Sequence, residues 1–349
     1  MSRAIAVIPG DGIGPEVVRA AVPVLQAALG AAASDWRWDE MPWNSERYLR
    51  EGAMMPDDAF DTLRRYDAIF LGAVGDPRVP DAIPVWGLVL AIRRQFELYV
   101  NLRPIRWLDG VPGTLGRRRP EDVDMVFVRE NTEGEYSDIG QVAADVAEQT
   151  ARFTRSGTER VARYAFDLAR SRGQNLISIT KSNALRHSMV FWDGVVADVA
   201  AGYPDVPWRS MLVDAAAYEM VMNPGQFGVV LASNLFGDIL TDLGAALQGS
   251  LGLAASGNIG GPAGAGAGPA MFEPIHGSAP PLAGRSVANP AGAIWAGAMM
   301  LEHLGEQQAA GRVLAALQQA LADGHATADL GGSEGTDAFA AAVLQRVTD

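Results

Sequence analysis

The sequence of 349 residues contains no cysteine, only four histidines and a single lysine. Without cysteine the chain can form no disulfide and offers no thiolate as a metal ligand or nucleophile. The histidines are scattered along the chain, which disfavours a zinc site. We find no apolar run long enough to predict a transmembrane helix, and no signal-peptide pattern before the first predicted strand. These absences predict a cytoplasmic protein.

The charge balance is acidic, with a formal net charge of −13. This excess argues against nucleic acid and anionic membranes as partners. An anionic ligand would need a local group of arginines that works against the overall field. The apolar content of 48% suffices for a sizeable core, and the length allows two domains or one large α/β unit.

Strand and helix patterns alternate along the chain. Short apolar runs predict strands at residues 4–8, 68–72, 124–129, 176–180 and 229–233. Helical spacing of apolar residues predicts helices at 17–29 and 86–96. This alternation indicates an α/β sheet with much parallel pairing.

Two stretches lack a clear period. Residues 257–268 are rich in glycine, alanine and proline and predict a flexible loop. Residues 137–149 predict either an arm or a packed loop. The first glycine turn, with Gly10, Gly12 and Gly14, differs from the G-x-G-x-x-G fingerprint and by itself indicates only a tight strand-to-helix turn.

The one lysine, Lys181, directly follows the predicted strand at 176–180. All the other Lys/Arg residues are arginines, so arginine supplies the positive surface charge of this chain. An ammonium group can give up a proton, whereas a guanidinium practically cannot. Lys181 is therefore a candidate general base, and the alternative is a surface lysine left by chance.

Asp238 and Asp242 lie four residues apart in a stretch with helical spacing. This spacing puts both carboxylates on one face of a helix, where they repel each other unless a positive group lies between them. Oxygen ligands favour Mg²⁺ or Mn²⁺ over zinc. The alternative is a solvated acidic face, which the mostly apolar neighbours disfavour.

Arg93, Arg103 and Arg129 lie at predicted element ends, and their planar guanidinium groups suit carboxylate ligands. They can form a dicarboxylate site only if the fold brings them together. Tyr136 is by type more often a packing residue, and becomes a candidate proton donor if it lies near Lys181. The lone His276 belongs either to an ordinary loop or to one that stacks on a flat ring.

Long motifs occur in order along nearly the whole chain. They are Ile8-Pro-Gly-Asp-Gly-Ile-Gly-Pro-Glu-Val17, Asn101-Leu-Arg-Pro104, Arg129-Glu-Asn-Thr-Glu-Gly-Glu-Tyr136, Thr180-Lys-Ser-Asn183, Asn234-Leu-Phe-Gly-Asp-Ile-Leu-Thr-Asp-Leu-Gly244 and His276-Gly-Ser-Ala-Pro280. Together they resemble the β-decarboxylating dehydrogenases, the family of isocitrate, 3-isopropylmalate, homoisocitrate and tartrate/D-malate dehydrogenases. The resemblance implies an α/β fold of the isocitrate/isopropylmalate dehydrogenase type, in which two domains share a large mixed sheet, and not a classical Rossmann fold. It also implies a cofactor domain at residues 1–98 plus 252–349, and a substrate, metal and dimerisation domain at residues 99–251.

The resemblance also implies residue roles in a homodimer with shared active sites. The implied catalytic residues are Lys181, Tyr136 and Asp214, and the implied ligands of Mg²⁺ or Mn²⁺ are Asp214, Asp238 and Asp242. Substrate carboxylates would meet Arg93, Arg103 and Arg129. The cofactor NAD would meet Ile13, Asn183, Glu273, His276, Gly277, Ser278, Ala279 and Asn289. Lys181 and Asp214 would reach across to the active site of the partner subunit.

The substrate is expected to be a malate-type 2-hydroxy acid. Trp86, Gly87 and the motif ending at Tyr136 are similar to the tartrate/D-malate branch. Leu88 and Val89 stand where the family contacts the C3 substituent, and they suit an alkyl group, as in 3-isopropylmalate. We expect D-malate or tartrate, with 3-isopropylmalate or another 3-alkylmalate as the alternative.

The cofactor loop departs from the family pattern. NAD-using relatives have an aspartate after His-Gly-Ser-Ala-Pro, and NADP-using isocitrate relatives have Lys-Tyr, but this chain has Pro281 and Leu282. No basic group replaces the lysine of the NADP-using relatives at this place, so a 2′-phosphate has no visible partner and we expect NAD. A regulatory homologue without catalysis is a further alternative, as is a metal-dependent lyase without redox chemistry. The retained base and metal-ligand candidates disfavour the first, and the His276 stretch disfavours the second.

Overall fold

The computed structural model describes residues 2–113, 123–261 and 268–348. The chain forms two compact units. Unit 1 comprises Met1–Leu98, Leu108–Thr114 and Gln248–Asp349, and unit 2 comprises Tyr99–Trp107 and Leu115–Leu247. The assignment of cofactor binding to one domain, and of substrate, metal and dimerisation to the other, stays a prediction.

The strands of the described residues are β1 (Arg3–Gly10), β2 (Trp36–Glu40), β3 (Ala68–Ala73), β4 (Val100–Arg106), β5 (Asp124–Glu130), β6 (Gly140–Val142), β7 (Ala147–Gln149), β8 (Leu176–Thr180), β9 (Trp208–Leu212), β10 (Val229–Ala232), β11 (Ala255–Ile259) and β12 (Ala270–Pro274). The helices are α1 (Gly14–Leu29), α2 (Ser45–Glu51), α3 (Ala59–Leu63), α4 (Ala82–Pro84), α5 (Leu90–Gln95), α6 (Arg155–Arg172), α7 (Ser188–Ala200), α8 (Val213–Met222), α9 (Asn234–Gln248), α10 (Ala291–His303), α11 (Gln307–Ala322) and α12 (Thr336–Thr348). A π-helical turn, Val85–Val89, joins α4 to α5.

Unit 1 contains strands in the order β2-β1-β3-β12-β11. All neighbouring pairs are parallel except β11 with β12. Helices α1, α10, α11 and α12 pack against one another, and α1 and α10 also contact the strands. Every residue of β3 is buried, as expected for a strand covered on both faces.

Unit 2 contains strands in the order β4-β5-β10-β8-β9. Only β4 runs antiparallel to its neighbour β5, so β5, β10, β8 and β9 all end at the same edge. Polar ligand-binding residues are expected at such an edge because the side chains that follow parallel strands meet there. Phe127, Ile177, Val230 and Leu240 belong to the hydrophobic core of this unit.

The predicted strands are all confirmed, and the predicted helix at 17–29 lies within α1. The predicted loop at 257–268 is wrong at its start, because Gly257 to Ile259 belong to β11. A Cβ at Gly257 would lie 2.9 Å from the ring of Phe272, so this glycine makes room for a neighbour inside a strand. Residues 262–267 of the predicted loop lie outside the described residues. The stretch at 137–149 is an arm, an exposed hairpin of β6 and β7.

The expectation about membrane-spanning length needs correction. The helical stretch Gly14–Asp35 is long and apolar enough to cross a membrane by length and composition. The same properties are typical of a core helix, and α1 packs against α10, α11 and α12. Its buried residues include Val17, Ala21 and Leu25, so packing within unit 1 accounts for its apolar character.

The helical segment around the π turn has a buried and an exposed side. Leu88 is fully buried in a core cluster with Ile8, Leu71 and Ile92, whereas Val85 is 41% exposed. A π turn holds one more residue than an α turn, which changes the direction of the side chains around it. The side chain of Leu88 therefore faces the core of unit 1 and not solvent.

We predict that Leu88→Ala lowers the stability of the protein by about 3 kcal/mol, because it leaves a cavity in this core. The thermal unfolding midpoint measures the effect. Val85→Ala, on the same segment, is the matched control and should change stability by about 0.5 kcal/mol or less. A changed ligand preference in Leu88→Ala without loss of stability would contradict the buried placement.

Candidate active site

Asp238 accepts hydrogen bonds from three of the predicted site residues at the strand edge of unit 2. Arg129, at the end of β5, donates through Nη1 to its Oδ1, and Arg103 on β4 donates through Nη2 to the same oxygen at 3.4 Å. The hydroxyl of Tyr136 donates to Oδ2 at 3.0 Å. Both guanidinium groups are buried, with 5% or less of each residue exposed. Two cations and a phenol thus converge on one carboxylate, and the planar guanidinium groups suit carboxylate ligands.

Three neutral side chains hold these arginines in place. Asn234 accepts from Nε of Arg129 at 3.0 Å and from Nη2 at 2.7 Å. The amide oxygen of Asn101 accepts from Nε of Arg103 at 2.5 Å, and Thr241 Oγ1 accepts from Nη1 at 2.5 Å. All three of these residues are buried, so their bonds fix the direction of the guanidinium groups.

Sequence reasoning missed Asn101, Asn234 and Thr241 as positioning residues, although the quoted motifs contain them. Two signals were available. Asn101 lies two residues before Arg103, on the same face of a strand. Thr241 and Asn234 lie three residues after and four residues before Asp238, at the spacing of helical neighbours.

Tyr136 is suited to hold a proton. Burial raises the pKa of Tyr136 above its ordinary value, and the neighbouring carboxylate of Asp238 raises it further, while Arg129 and Arg103 oppose the shift. The phenol is therefore protonated at neutral pH and can act as a proton donor.

Asp242 lies one helical turn after Asp238 on α9. Loss of solvent raises the pKa of Asp242 above its ordinary value, Arg103 opposes the shift, and Asp238 adds to it. A cation at this carboxylate would offset the lost hydration, so the pair Asp238 and Asp242 suits a divalent ion with oxygen ligands. The described part of the chain contains no group of three or more acidic or histidine side chains that could hold a metal ion. Asp238 and Asp242 are thus a pair of carboxylates and not a complete set of metal ligands.

Lys181 and Asp214 form a second group at the same edge of unit 2. They follow the paired strands β8 and β9, in which Thr180 lies beside Leu212. Lys181 Nζ donates to Asp214 Oδ1 at 2.6 Å, and this bond lowers the pKa of Asp214 below its ordinary value. Among the described residues neither side chain forms a hydrogen bond with Asp238.

In unit 1 the structure brings Arg93 and Glu273 together. Arg93 Nη2 donates to Glu273 Oε1 at 2.7 Å, and both side chains are about nine-tenths buried. Leu88 and Val89, predicted to contact the substrate, lie in the core cluster of this unit. Their role stays a prediction, and for Leu88 it would require a change in the direction of its side chain.

The glycine turn and the His276 loop also meet in unit 1. The amide of Ile13 donates to the carbonyl of Ser278 at 2.8 Å. A Cβ at Gly12 would lie 2.0 Å from that carbonyl oxygen, so the close approach of the two loops requires glycine. The structure therefore places Ile13 next to the segment with Gly277, Ser278 and Ala279.

His276 is buried beside this contact. Burial lowers the pKa of His276 below its ordinary value, so the ring is neutral at physiological pH. Its Nε2 has no hydrogen-bond partner among the described residues. A buried ring nitrogen without a partner suits a ligand that supplies the missing hydrogen bond. The side chain of Asn289 bonds to Asp329 and to the amide of Ala291, and Asn183 is exposed in unit 2.

Comparison with known proteins gives concordant results. The sequence matches the profile of the family described as isocitrate/isopropylmalate dehydrogenase over residues 4–343. The D-malate dehydrogenase [decarboxylating] of Escherichia coli (strain K12) is 47% identical over an alignment of 354 positions. The alignment covers 98% of this chain and 97% of that protein. A probable tartrate dehydrogenase/decarboxylase of Bacillus subtilis (strain 168) is 46% identical over 338 residues, covering 95% and 94% of the two chains.

Solved structures agree with the sequence match. The crystal structure of isocitrate dehydrogenase from Methylococcus capsulatus has a TM-score of 0.90 at 37% identity, and the match covers 99% of this chain and 100% of that one. The apo crystal structure of a β-decarboxylating dehydrogenase from Thermococcus kodakarensis has a TM-score of 0.82 at 36% identity, covering 99% and 96%. The family resemblance and the α/β fold class predicted from the motifs are confirmed. The chain belongs to the isocitrate/isopropylmalate dehydrogenase family.

Proposed function

We propose that the protein catalyses the metal- and NAD-dependent oxidative decarboxylation of a malate-type 2-hydroxy acid, D-malate or tartrate, to a 2-keto acid and CO₂. The observation that carries this proposal is the convergence of Arg103, Arg129 and Tyr136 on Asp238. The names of the relatives from Escherichia coli and Bacillus subtilis support the reaction class.

The proposed metal is Mg²⁺ or Mn²⁺, held by Asp238 and Asp242 of one subunit and Asp214 of the partner subunit. The raised pKa of Asp242 supports this fit, because a partly desolvated carboxylate is stabilised by a cation. When bound, the metal would make the substrate hydroxyl more acidic and stabilise negative charge on its oxygen.

The side chains then have separate roles. Arg93, Arg103 and Arg129 bind the substrate carboxylates and orient the 2-hydroxyl. Lys181 accepts the hydroxyl proton, and NAD, when bound, would supply the acceptor for the hydride of C2. The keto group formed at C2 lies β to the C3 carboxylate, which leaves as CO₂. Tyr136, protonated at neutral pH, then gives a proton to C3.

NAD is the proposed cofactor, and most of its proposed ligands belong to unit 1. Ile13, His276, Gly277, Ser278, Ala279 and Asn289 would line the adenosine end, and Glu273 and Asn183 the nicotinamide end. The neutral ring and unpartnered Nε2 of His276 support a flat heterocycle at this place. Pro281 and Leu282 carry no charged group that could select between NAD and NADP by itself.

A homodimer is proposed because unit 2 exposes apolar residues on its helices. Val190 and Phe191 on α7, Tyr218 on α8 and Ile239 on α9 are between 36% and 61% exposed. The β6–β7 arm adds Val142, which is 86% exposed. An isolated two-stranded hairpin is at best marginally stable in water, so a second copy of the chain would stabilise it. We further propose that the dimer is cytoplasmic.

D-malate or tartrate is preferred over a 3-alkylmalate because Leu88 faces the core and supplies no alkyl pocket in the described conformation. The exposure of Val85 on the π turn is the observation that favours the alternative, 3-isopropylmalate, since this side chain offers apolar surface.

The first test is NADH formation by the purified protein with Mn²⁺ and D-malate, L- or meso-tartrate, 3-isopropylmalate or isocitrate. NADP is run in parallel. We expect turnover with D-malate or tartrate and NAD. Turnover with 3-isopropylmalate alone would establish the alternative substrate. No turnover despite NAD and Mn²⁺ binding would favour a regulatory homologue, and no NAD binding would overturn the proposal.

We predict that Lys181→Arg loses most turnover while the protein remains dimeric, because guanidinium keeps the charge but cannot accept a proton. The loss should be about 100-fold or more in kcat. Size-exclusion chromatography checks the assembly. Turnover close to that of the wild type would exclude Lys181 as the base.

Mixed dimers test whether the sites are shared. Lys181→Arg and Asp242→Asn chains, co-expressed with different tags, are purified as heterodimers. If each site takes Lys181 from one chain and Asp242 from the other, one site in each heterodimer is intact, and about half of the wild-type activity returns. If both residues serve the same chain, every site carries a defect and the heterodimer stays inactive.

We predict that Thr241→Val raises KM for the substrate about tenfold, with a smaller change in kcat, because Arg103 loses a buried acceptor. Thr241→Ser keeps the hydroxyl and is the matched control. Steady-state kinetics with both variants measure the effect. A wild-type KM in Thr241→Val would mean that the other partners of Arg103 suffice to position it.

A further inference from the structure

The ion pair of Arg93 with Glu273 includes a third residue, Asn258. Asn258 Nδ2 donates to Glu273 Oε1 at 2.9 Å, the same oxygen that accepts from Arg93 at 2.7 Å. Asn258 is fully buried on β11, and it also donates to the carbonyl of Met271 at 3.1 Å. One carboxylate oxygen of Glu273 is thus held by two donors inside unit 1.

Strand register brings these side chains together. Glu273 on β12 lies opposite Ser256 on the antiparallel strand β11, and Asn258 is the next residue of β11 on the same face. Such a diagonal neighbour lies within reach of a long side chain. The contact therefore follows from the pairing of β11 with β12 and is not visible in the sequence.

The ion pair is incomplete at both outer ends. Nε of Arg93 has no acceptor among the described residues, although the side chain is only 9% exposed. Glu273 Oε2 is not among the buried side-chain atoms that lack a partner and is open to solvent, while Oε1 accepts two hydrogen bonds. Leaving the buried Nε donor of Arg93 unpaired is costly, and a purely structural pair would be expected to satisfy it. Open ends at a buried ion pair indicate ligands that complete it.

We propose that Asn258 is a positioning residue that holds Glu273 between the two ligands of the reaction. It fixes Oε1 so that Arg93 is aimed at a substrate carboxylate, and it leaves Oε2 open to an N–H donor of the cofactor. Because Asn258 also donates a hydrogen bond to Oε1, it limits how strongly Glu273 neutralises the charge of Arg93. This inference rests on the proposed function, because it takes Arg93 as a substrate ligand.

The test is a double-mutant cycle on the full-length protein. Asn258→Leu removes the donor at similar volume, and Glu273→Gln removes the charge on which it acts. Titration calorimetry measures the Kd of D-malate with Mn²⁺ and without nucleotide, so that no turnover occurs. Nucleotide fluorescence measures the Kd of NADH, and 3-isopropylmalate is used where it is the better substrate.

Ser256→Ala is the matched control. Ser256 is buried on the same face of β11 and donates to the backbone carbonyl of Glu273 at 3.2 Å, not to its carboxylate. Ser256→Ala removes one buried hydrogen bond between the same two strands, and Asn258→Leu removes the bonds to Glu273 and to Met271. A loss in Asn258→Leu that came only from weaker strand pairing would persist in the Glu273→Gln background.

We expect Asn258→Leu to raise the Kd of D-malate about tenfold and that of NADH about threefold, with Ser256→Ala within about twofold of the wild type. In the Glu273→Gln background, Asn258→Leu should change either Kd less than about twofold. Asn258→Ser keeps a shorter hydrogen-bond donor and should raise both Kd values less. It replaces Asn258→Leu in the cycle if the leucine variant does not fold.

Equal losses in both backgrounds, or equal losses in Asn258→Leu and Ser256→Ala, would overturn the inference alone. The proposed function would stand in that case, because the wild-type protein binds the acid. Failure of the wild-type protein to bind D-malate, tartrate and 3-isopropylmalate would overturn the proposed function and the substrate part of this inference. The double-mutant cycle measured by NADH binding would then test by itself whether Asn258 positions Glu273 for the cofactor.

Discussion

The candidate active site depends on the hydrogen bonds that the carboxylate of Asp238 accepts from two arginines and a tyrosine. Two buried guanidinium groups and a phenol would be costly to hold together without a negative charge, because like charges repel strongly away from water. Asp238 accepts from all three, and its place on α9 lets them approach from β4, β5 and the turn after β5. The same carboxylate is a candidate metal ligand, so the group that assembles the arginines is also the one that would bind the ion.

Positioning in this protein relies on neutral side chains behind charged ones. Asn101, Asn234 and Thr241 direct the arginines of unit 2, and Asn258 meets the ion pair of unit 1. A neutral acceptor or donor fixes direction without cancelling charge. The arginines thus keep their attraction for an anionic ligand in a chain whose net charge is −13.

The charged residues of this arrangement could be selected from the sequence by type, whereas the neutral residues were missed although their spacing to the charged ones offered a signal. Arginine at element ends, aspartates four apart and a single lysine are uncommon enough to be noticed by type. Asparagine and threonine are frequent in turns and loops, and their contacts depend on strand register and helix docking. The strands could also be predicted from residue type, since a continuous apolar run indicates a buried element.

The prediction that failed has a physical reason of the same kind. Gly257 indicated a loop by composition, but in β11 the missing side chain makes room for the ring of Phe272. The three-dimensional neighbour decided the role of this glycine. The substrate contact of Leu88, which the resemblance implies, stays a prediction, and beside the π turn its side chain faces the core.

The proposed homodimer would bring the two candidate catalytic groups of unit 2 to one substrate. Lys181 bonds to Asp214, and Asp238 holds the arginines and Tyr136, yet among the described residues no bond joins the two groups. Base, proton donor and metal ligands must meet at one substrate within a few ångströms. Each group lies at the end of strands in a packed sheet, which resists large rearrangement. A partner subunit can bring the two groups together without such a change, and the exposed apolar side chains on α7, α8 and α9 offer a surface for it.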